Sequence, residues 1–179
     1  MCFLSACTWT PHEIQINPQT NVAESNIGQG KAVYFRFLDE RDDTTVGHRG
    51  VATVGAKVTS ANLAQTVENA LREGLRKKQF QFTSAESDAD AALTYRLRSF
   101  KFDIEAGFFT AGRNAAAALA VDARRRDRSY NNVYRYNSET RIMFAPGGGE
   151  IDQQMNEALT QILTKALNDP DLDRFLTER

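Results

Sequence analysis

Leu93-Thr94-Tyr95-Arg96-Leu97-Arg98-Ser99-Phe100 is the stretch on which the fold turns. Leu93, Tyr95, Leu97 and Ser99 alternate with Thr94, Arg96, Arg98 and Phe100. That is the period of a strand with one face buried and one face wet. Gly107 and Gly112 bracket a turn after it, and residues 113–124 give a second strand through Leu119, Val121 and Ala123. A basic turn leads to a third, with Val133, Tyr134, Tyr136, Ile142 and Phe144. Three long strands with short connections predict an antiparallel meander.

Upstream, Ala32-Val33-Tyr34-Phe35-Arg36-Phe37-Leu38 is β-branched and aromatic, and reads as a central strand. Val51-Ala52-Thr53-Val54 reads as a second, short one. Leu63, Val67, Ala70, Leu71 and Leu75 then recur at helical spacing, with Ser60 placed as an N-cap. Gln79-Phe80-Gln81-Phe82 alternates as a strand. Downstream, Pro146-Gly147-Gly148-Gly149 breaks the chain before a second amphipathic helix carried by Ile151, Met155, Ala158, Leu159, Ile162, Leu163 and Ala166. Asn168-Asp169-Pro170 stops that helix. Asp169 caps a last short one with Pro170 in its first turn, docked by Leu172, Phe175 and Leu176. The expected fold class is α+β: a mostly antiparallel sheet with a three-strand meander, and two main helices packed on one face.

The 179 residues suit one domain large enough to hold its own core. A net charge of −1 provides no global field for nucleic acid, so no nucleic-acid partner is expected. The two cysteines, Cys2 and Cys7, both lie at the N-terminus. This removes stabilising disulfides and CxxC sites from the body of the chain.

Leu4-Ser5-Ala6-Cys7 has the form of a lipobox: an aliphatic residue, two small residues that enter a tight peptidase cleft, and a cysteine whose sulfur can take diacylglycerol. Two or more acyl chains, at about 0.8 kcal/mol per buried methylene, make such an attachment stable. On this reading residues 1–6 are the remnant of a truncated signal peptide, 7–30 are a lipid-attached tail, and 31–179 are one α+β domain. Pro11, Pro18 and several Asn and Gln residues give the tail a linker-like composition, long enough to hold a domain clear of a membrane.

Beyond these local patterns, the chain resembles the YajG-type lipoproteins of Gram-negative bacteria. The residues that carry the resemblance are Cys7 in its lipobox, Ile16-Asn17-Pro18, Asp39-Glu40-Arg41 and Val46-Gly47. It continues through the helix Leu63 to Leu75 with Lys78-Gln79-Phe80, then Ile151-Asp152, Met155 to Leu159, Leu167-Asn168-Asp169, Leu172 and Phe175-Leu176. It implies an outer-membrane lipoprotein facing the periplasm, and it brings no catalytic residues. Thr8 follows the cysteine where an inner-membrane retention signal would have aspartate.

Catalytic chemistry finds little support. The two histidines, His12 in the tail and His48 in what reads as a loop, belong to no nucleophile–base motif. Gly147-Gly148-Gly149 resembles a phosphate cradle but lacks the Lys-Ser/Thr of a P-loop. Asp39, Glu40, Asp42 and Asp43 lack calcium-loop spacing, and Asp39 is expected to pair with Arg41. No cofactor and no metal are expected. Candidate partner contacts are the aromatic pair Phe108-Phe109 and the run Arg124, Arg125, Arg126 and Arg128. The expected partners are the membrane, through lipidated Cys7, and an envelope protein or lipid. The expected function is that of a lipid-anchored, periplasm-facing interaction or transport-auxiliary module; the competing reading is a soluble envelope hydrolase.

Overall fold

The computed structural model describes residues 10–49, 55–106, 111–142 and 147–178. Among the described residues eight strands form one sheet: β1 (His12–Glu13), β2 (Ala32–Asp39), β3 (Thr45–Arg49), β4 (Ala56–Thr59), β5 (Gln81–Thr83), β6 (Ala91–Ala106), β7 (Ala111–Arg125) and β8 (Arg128–Ile142). Three helices accompany them: α1 (Leu63–Lys77), α2 (Gly148–Leu167) and α3 (Pro170–Thr177). The strand predicted at Val51–Val54 lies outside the described residues.

The sheet is mixed: its long ladders are antiparallel, as in the expected meander, and parallel pairings join the remaining strands. β6, β7 and β8 pair antiparallel in chain order, as does β3 with β4. But β2 runs parallel to both β5 and β6, β1 is parallel to β4, and β3 meets β6 in parallel at Gly47 and Phe102. The reason is the connection: α1 lies between β2 and the β5–β6 segment, and such a crossover returns the chain in its original direction.

β6 shows why strict alternation misplaces one of its ends. Leu93, Tyr95 and Leu97 are fully buried, as the period predicts, but so are Phe100 and Phe102. The register with β7 slips between Leu97 and Ser99, a bulge that moves the inward set from odd to even positions. Ser99, expected inside, is therefore on the outer face.

One core joins the sheet to the helices. Val67, Leu71 and Leu75 of α1, and Ile151, Met155, Leu159, Ile162 and Leu163 of α2, pack with Leu93, Tyr95, Leu97, Leu119 and Val121. Gly74 lets the helices close on each other, since a Cβ there would sit 2.5 Å from Leu167 Cδ1. On the β2 side Arg72 lies over Phe35 at 4.4 Å and over Phe82 at 5.2 Å, its charge attracted by the ring faces.

The helix ends depart from expectation in two places. Ser60 does not cap α1: Asn62 holds the cap position without a side-chain bond, and the buried Ser60 hydroxyl accepts from Arg41 at 3.2 Å. At the other end Phe80 N–H donates to Leu75 C=O and Gln79 N–H to Arg76 C=O, a Schellman closure. Gln79 therefore takes φ 65°, shortening the predicted strand to Gln81–Thr83. Glycine is the usual residue at that position, so Gln79→Gly is expected to raise stability by about 0.5–1 kcal/mol, read as a shift in the urea midpoint at unchanged slope. At α3 the prediction holds: Asp169 caps, with Pro170 in the first turn.

Candidate functional site

Cys7, Phe108 and Phe109 lie outside the described residues, so the site is built from the arginine run. Arg125 and Arg128 are the last pair of the β7–β8 ladder, leaving Arg126 and Asp127 as a two-residue turn with Arg126 at φ 55°. The four arginines are not a uniform cationic patch. Arg124 Nη2 is 3.5 Å from Glu86 Oε1, and Arg128 Nη1 pairs with Glu178 and stacks 5.8 Å from the Phe175 ring. Asp127 adds a third carboxylate in the turn itself. Arg126 is exposed and Arg125 half-buried, and neither has an ion pair among the described residues. With Arg124 they line a shallow cleft closed by Glu86 and Asp90. Exposed pairs of this kind contribute little to stability, but they do cancel much of the local field. Sequence inspection missed this because the cancelling acids come from the segments before β6 and after α3.

Beneath the tip, Asp169 gathers a polar cluster. Its carboxylate accepts from the hydroxyls of Tyr130 at 2.6 Å and Tyr134 at 2.5 Å, from Asn132 Nδ2 at 3.1 Å, and from the backbone N–H of Asp171 at 2.9 Å and of Leu172 at 3.3 Å. Burial works to raise its pKa, but the donors prevail and hold it at about 2. Burial, with the neighbouring Asp169, raises the Tyr134 and Tyr130 hydroxyls, and burial with the charges of Asp173 and Asp169 raises Tyr95. Next to it, Lys78 Nζ reaches both oxygens of Asp173 at 2.7 and 2.6 Å. Burial outweighs this pairing and leaves the Asp173 carboxyl raised. The cluster ties the tip end of the β7–β8 hairpin to α3.

The segment expected to be a lipid-attached tail is, from His12 onward, part of the folded unit. Ile14 and Val22 are buried, and β1 pairs with β4. Asn17 N–H donates to Asn156 Oδ1 at 2.6 Å, Gln19 N–H to Thr160 Oγ1 at 2.9 Å and Asn21 N–H to Thr164 Oγ1 at 3.3 Å, while Asn168 Nδ2 donates to Asn21 C=O at 2.8 Å. Two extended residues rise about 6.6 Å and four helical residues about 6 Å, so every second residue of the strap meets every fourth residue of α2. The sequence signal was present as Asn156, Thr160, Thr164 and Asn168, a polar row at four-residue spacing beside the apolar stripe.

The remaining candidates resolve locally. His12 Nε2 is 2.7 Å from Asp152 Oδ1, at the start of α2. His48 is on β3 opposite Lys57, not in a loop. Asp39 pairs with Arg41 at 2.7 Å as expected, and Asp43 accepts from Thr45 N–H at 2.6 Å. Gly147 opens α2, its N–H donating to Glu150 Oε2 at 2.9 Å. Among the described residues no group of His, Cys, Asp and Glu could hold a metal ion, and no helix is long and apolar enough to cross a membrane.

The mixed sheet with its two core helices is an α/β layer that has a counterpart among solved structures. A Xanthomonas campestris protein of known crystal structure superposes with a TM-score of 0.56 at 11% identity, over 91% of this chain and 95% of that one. A lipoprotein of Neisseria meningitidis aligns over 72% of this chain and 97% of its own, with a TM-score of 0.25 at 9% identity. Only the former likeness is close enough to speak for the fold. No curated protein matches the chain in sequence. The model of an uncharacterised lipoprotein family matches residues 18–177, and the chain belongs to that family.

Proposed function

We propose that the protein is attached through a diacylglycerol on Cys7 to the outer membrane, facing the periplasm, and acts by contact rather than by catalysis. Family membership supports the lipid anchor. The observation that carries the rest is the strap. The first strand begins at His12, and the five residues from Cys7 to it span at most about 18 Å. The domain is thus held against the membrane, not suspended from it on a linker.

The strap also supports an orientation. His12 contacts the first turn of α2, and Arg113, near the start of β7, contacts Glu150 and Gln154 at the same end. The strand ends flanking Phe108 and Phe109 therefore lie at the anchored end, which favours a membrane-side role for that pair. The arginine tip lies by α3, beyond the C-terminus of α2, about 30 Å away along 20 helical residues. A tip facing away from the anchoring leaflet favours a protein partner for Arg124, Arg125, Arg126 and Arg128 over lipid phosphate. No observation favours the hydrolase reading.

The experiment is fractionation of cells making the protein behind an export signal. Wild type is expected in the outer membrane with Cys7 diacylated by mass, and Cys7→Ser is expected in the soluble periplasmic fraction. Equal partitioning of the two proteins, or an unmodified Cys7 in the membrane fraction, would refute the anchor.

A further inference from the structure

β8 is a 15-residue strand bonded on one side only: it pairs with β7, and among the described residues nothing pairs with its other edge. Exposed edges are usually kept short, charged, bulged, or interrupted by proline, and the charges of β8 are of both signs, Arg135 and Arg141 with Glu139. β8 has no proline, and its register with β7 runs unbroken from Arg128 to Ile142.

The direction of its free backbone groups follows from the turn. A two-residue turn makes Arg125 and Arg128 a hydrogen-bonded pair, so even-numbered residues of β8 face β7 with their N–H and C=O. Odd-numbered residues, from Ser129 to Arg141, present theirs to the free edge. Val133 agrees: its N–H donates to the Asn132 side chain at 2.8 Å. The side chains of Arg135, Asn137 and Glu139, all odd, are exposed on one face of the sheet.

We infer that β8 pairs antiparallel with β8 of a second copy, about a two-fold axis at Asn137, joining the two sheets edge to edge. In that register Arg135 of each copy stands opposite Glu139 of the other, and Asn137 stands opposite itself. Odd residues face odd ones, so both edges offer complementary N–H and C=O groups. Neighbouring registers lose the charge match. An axis at Tyr136 sets Arg135 against Asn137, and one at Ser138 sets Arg135 against Arg141, like charge on like. An axis at Thr140 would also set Glu139 against Arg141, but there the strands overlap only from 138 to 142; the axis at Asn137 combines the charge match with overlap from 132 to 142, which favours a second copy in that register.

Sedimentation of the 179-residue chain over a concentration series tests this. A reversible dimer is expected. Glu139→Arg replaces two attractive cross-strand pairs with repulsive ones and is expected to weaken it roughly tenfold in Kd. Arg135→Glu combined with Glu139→Arg swaps the charges and is expected to restore it. In a chain carrying Cys2→Ser and Cys7→Ser, Asn137→Cys is expected to form a disulfide dimer under mild oxidation, because hydrogen-bonded antiparallel partners lie about 5.5 Å apart at Cα, within disulfide reach. This second readout holds even if Glu139→Arg fails to fold. A chain that stays monomeric at every concentration and does not crosslink through residue 137 overturns the proposal. So does a dimer indifferent to Glu139→Arg.

Discussion

Asp169→Ala is expected to destabilise the protein by roughly 2–4 kcal/mol, a fall in melting temperature on the order of 10 °C. Two losses combine. The first is the cap: Asp169 satisfies the N–H groups of Asp171 and Leu172 at the positive end of α3. The second is the tyrosine pair. Tyr134 is 8% exposed, and its hydroxyl donates to Asp169, so removing the carboxylate strands a largely buried polar group. Asp169→Asn keeps an acceptor and is expected to cost clearly less.

The same carboxylate has a pH signature. Its pKa is lowered from the ordinary 3.8 to about 2. Its stabilisation is therefore fully present above pH 4 and is lost as the pH falls through the interval down to about 2. Asp173, whose pKa is raised by burial, acts with the opposite sign: its protonation favours the folded state as the pH falls through its raised value. Chemical denaturation at stepped pH should show a slope between pH 4 and 2 that is shallower in Asp169→Asn than in wild type. An unchanged slope would refute the assignment.

Gly47→Ala is expected to cost about 3 kcal/mol or more, and to loosen the β3–β4 side of the sheet without unfolding the β6–β7–β8 ladder. A Cβ at residue 47 would stand 1.7 Å from the carbonyl oxygen of Phe102. That atom is backbone, within the β6 ladder, and cannot swing aside as a side chain can. Among the described residues this is the one pairing of β3 with β6, and it lies beside the irregularity between Thr45 and Gly47. Hydrogen exchange should show protection falling in β3 and β4 while β7 and β8 remain protected. A variant as stable as wild type would mean that the two strands do not meet so closely.

The amino-acid sequence by itself determined the features governed by near neighbours along the chain. The apolar spacing of α1 and α2, the Asp169-Pro170 start of α3, the three long strands and the Asp39–Arg41 pair all depend on contacts a few residues apart. Family membership was legible too, in motifs spread along the whole length. What only the tertiary structure decided depends on groups far apart in sequence. The parallel pairing of β2 with β6 follows from how the α1 crossover returns. The bulge after Leu97 is needed to bring Phe100 and Phe102 inward, a change of phase visible only when both sets are seen buried. Glu86 and Glu178 neutralise arginines that looked like a bare patch. Residues 10–24 looked like a linker because their backbone bonds go neither to each other nor to a sheet alone, but largely to side chains about 140 residues away on α2. Composition reports whether a segment can bury itself; it does not report whether a distant helix carries the polar row that would hold it.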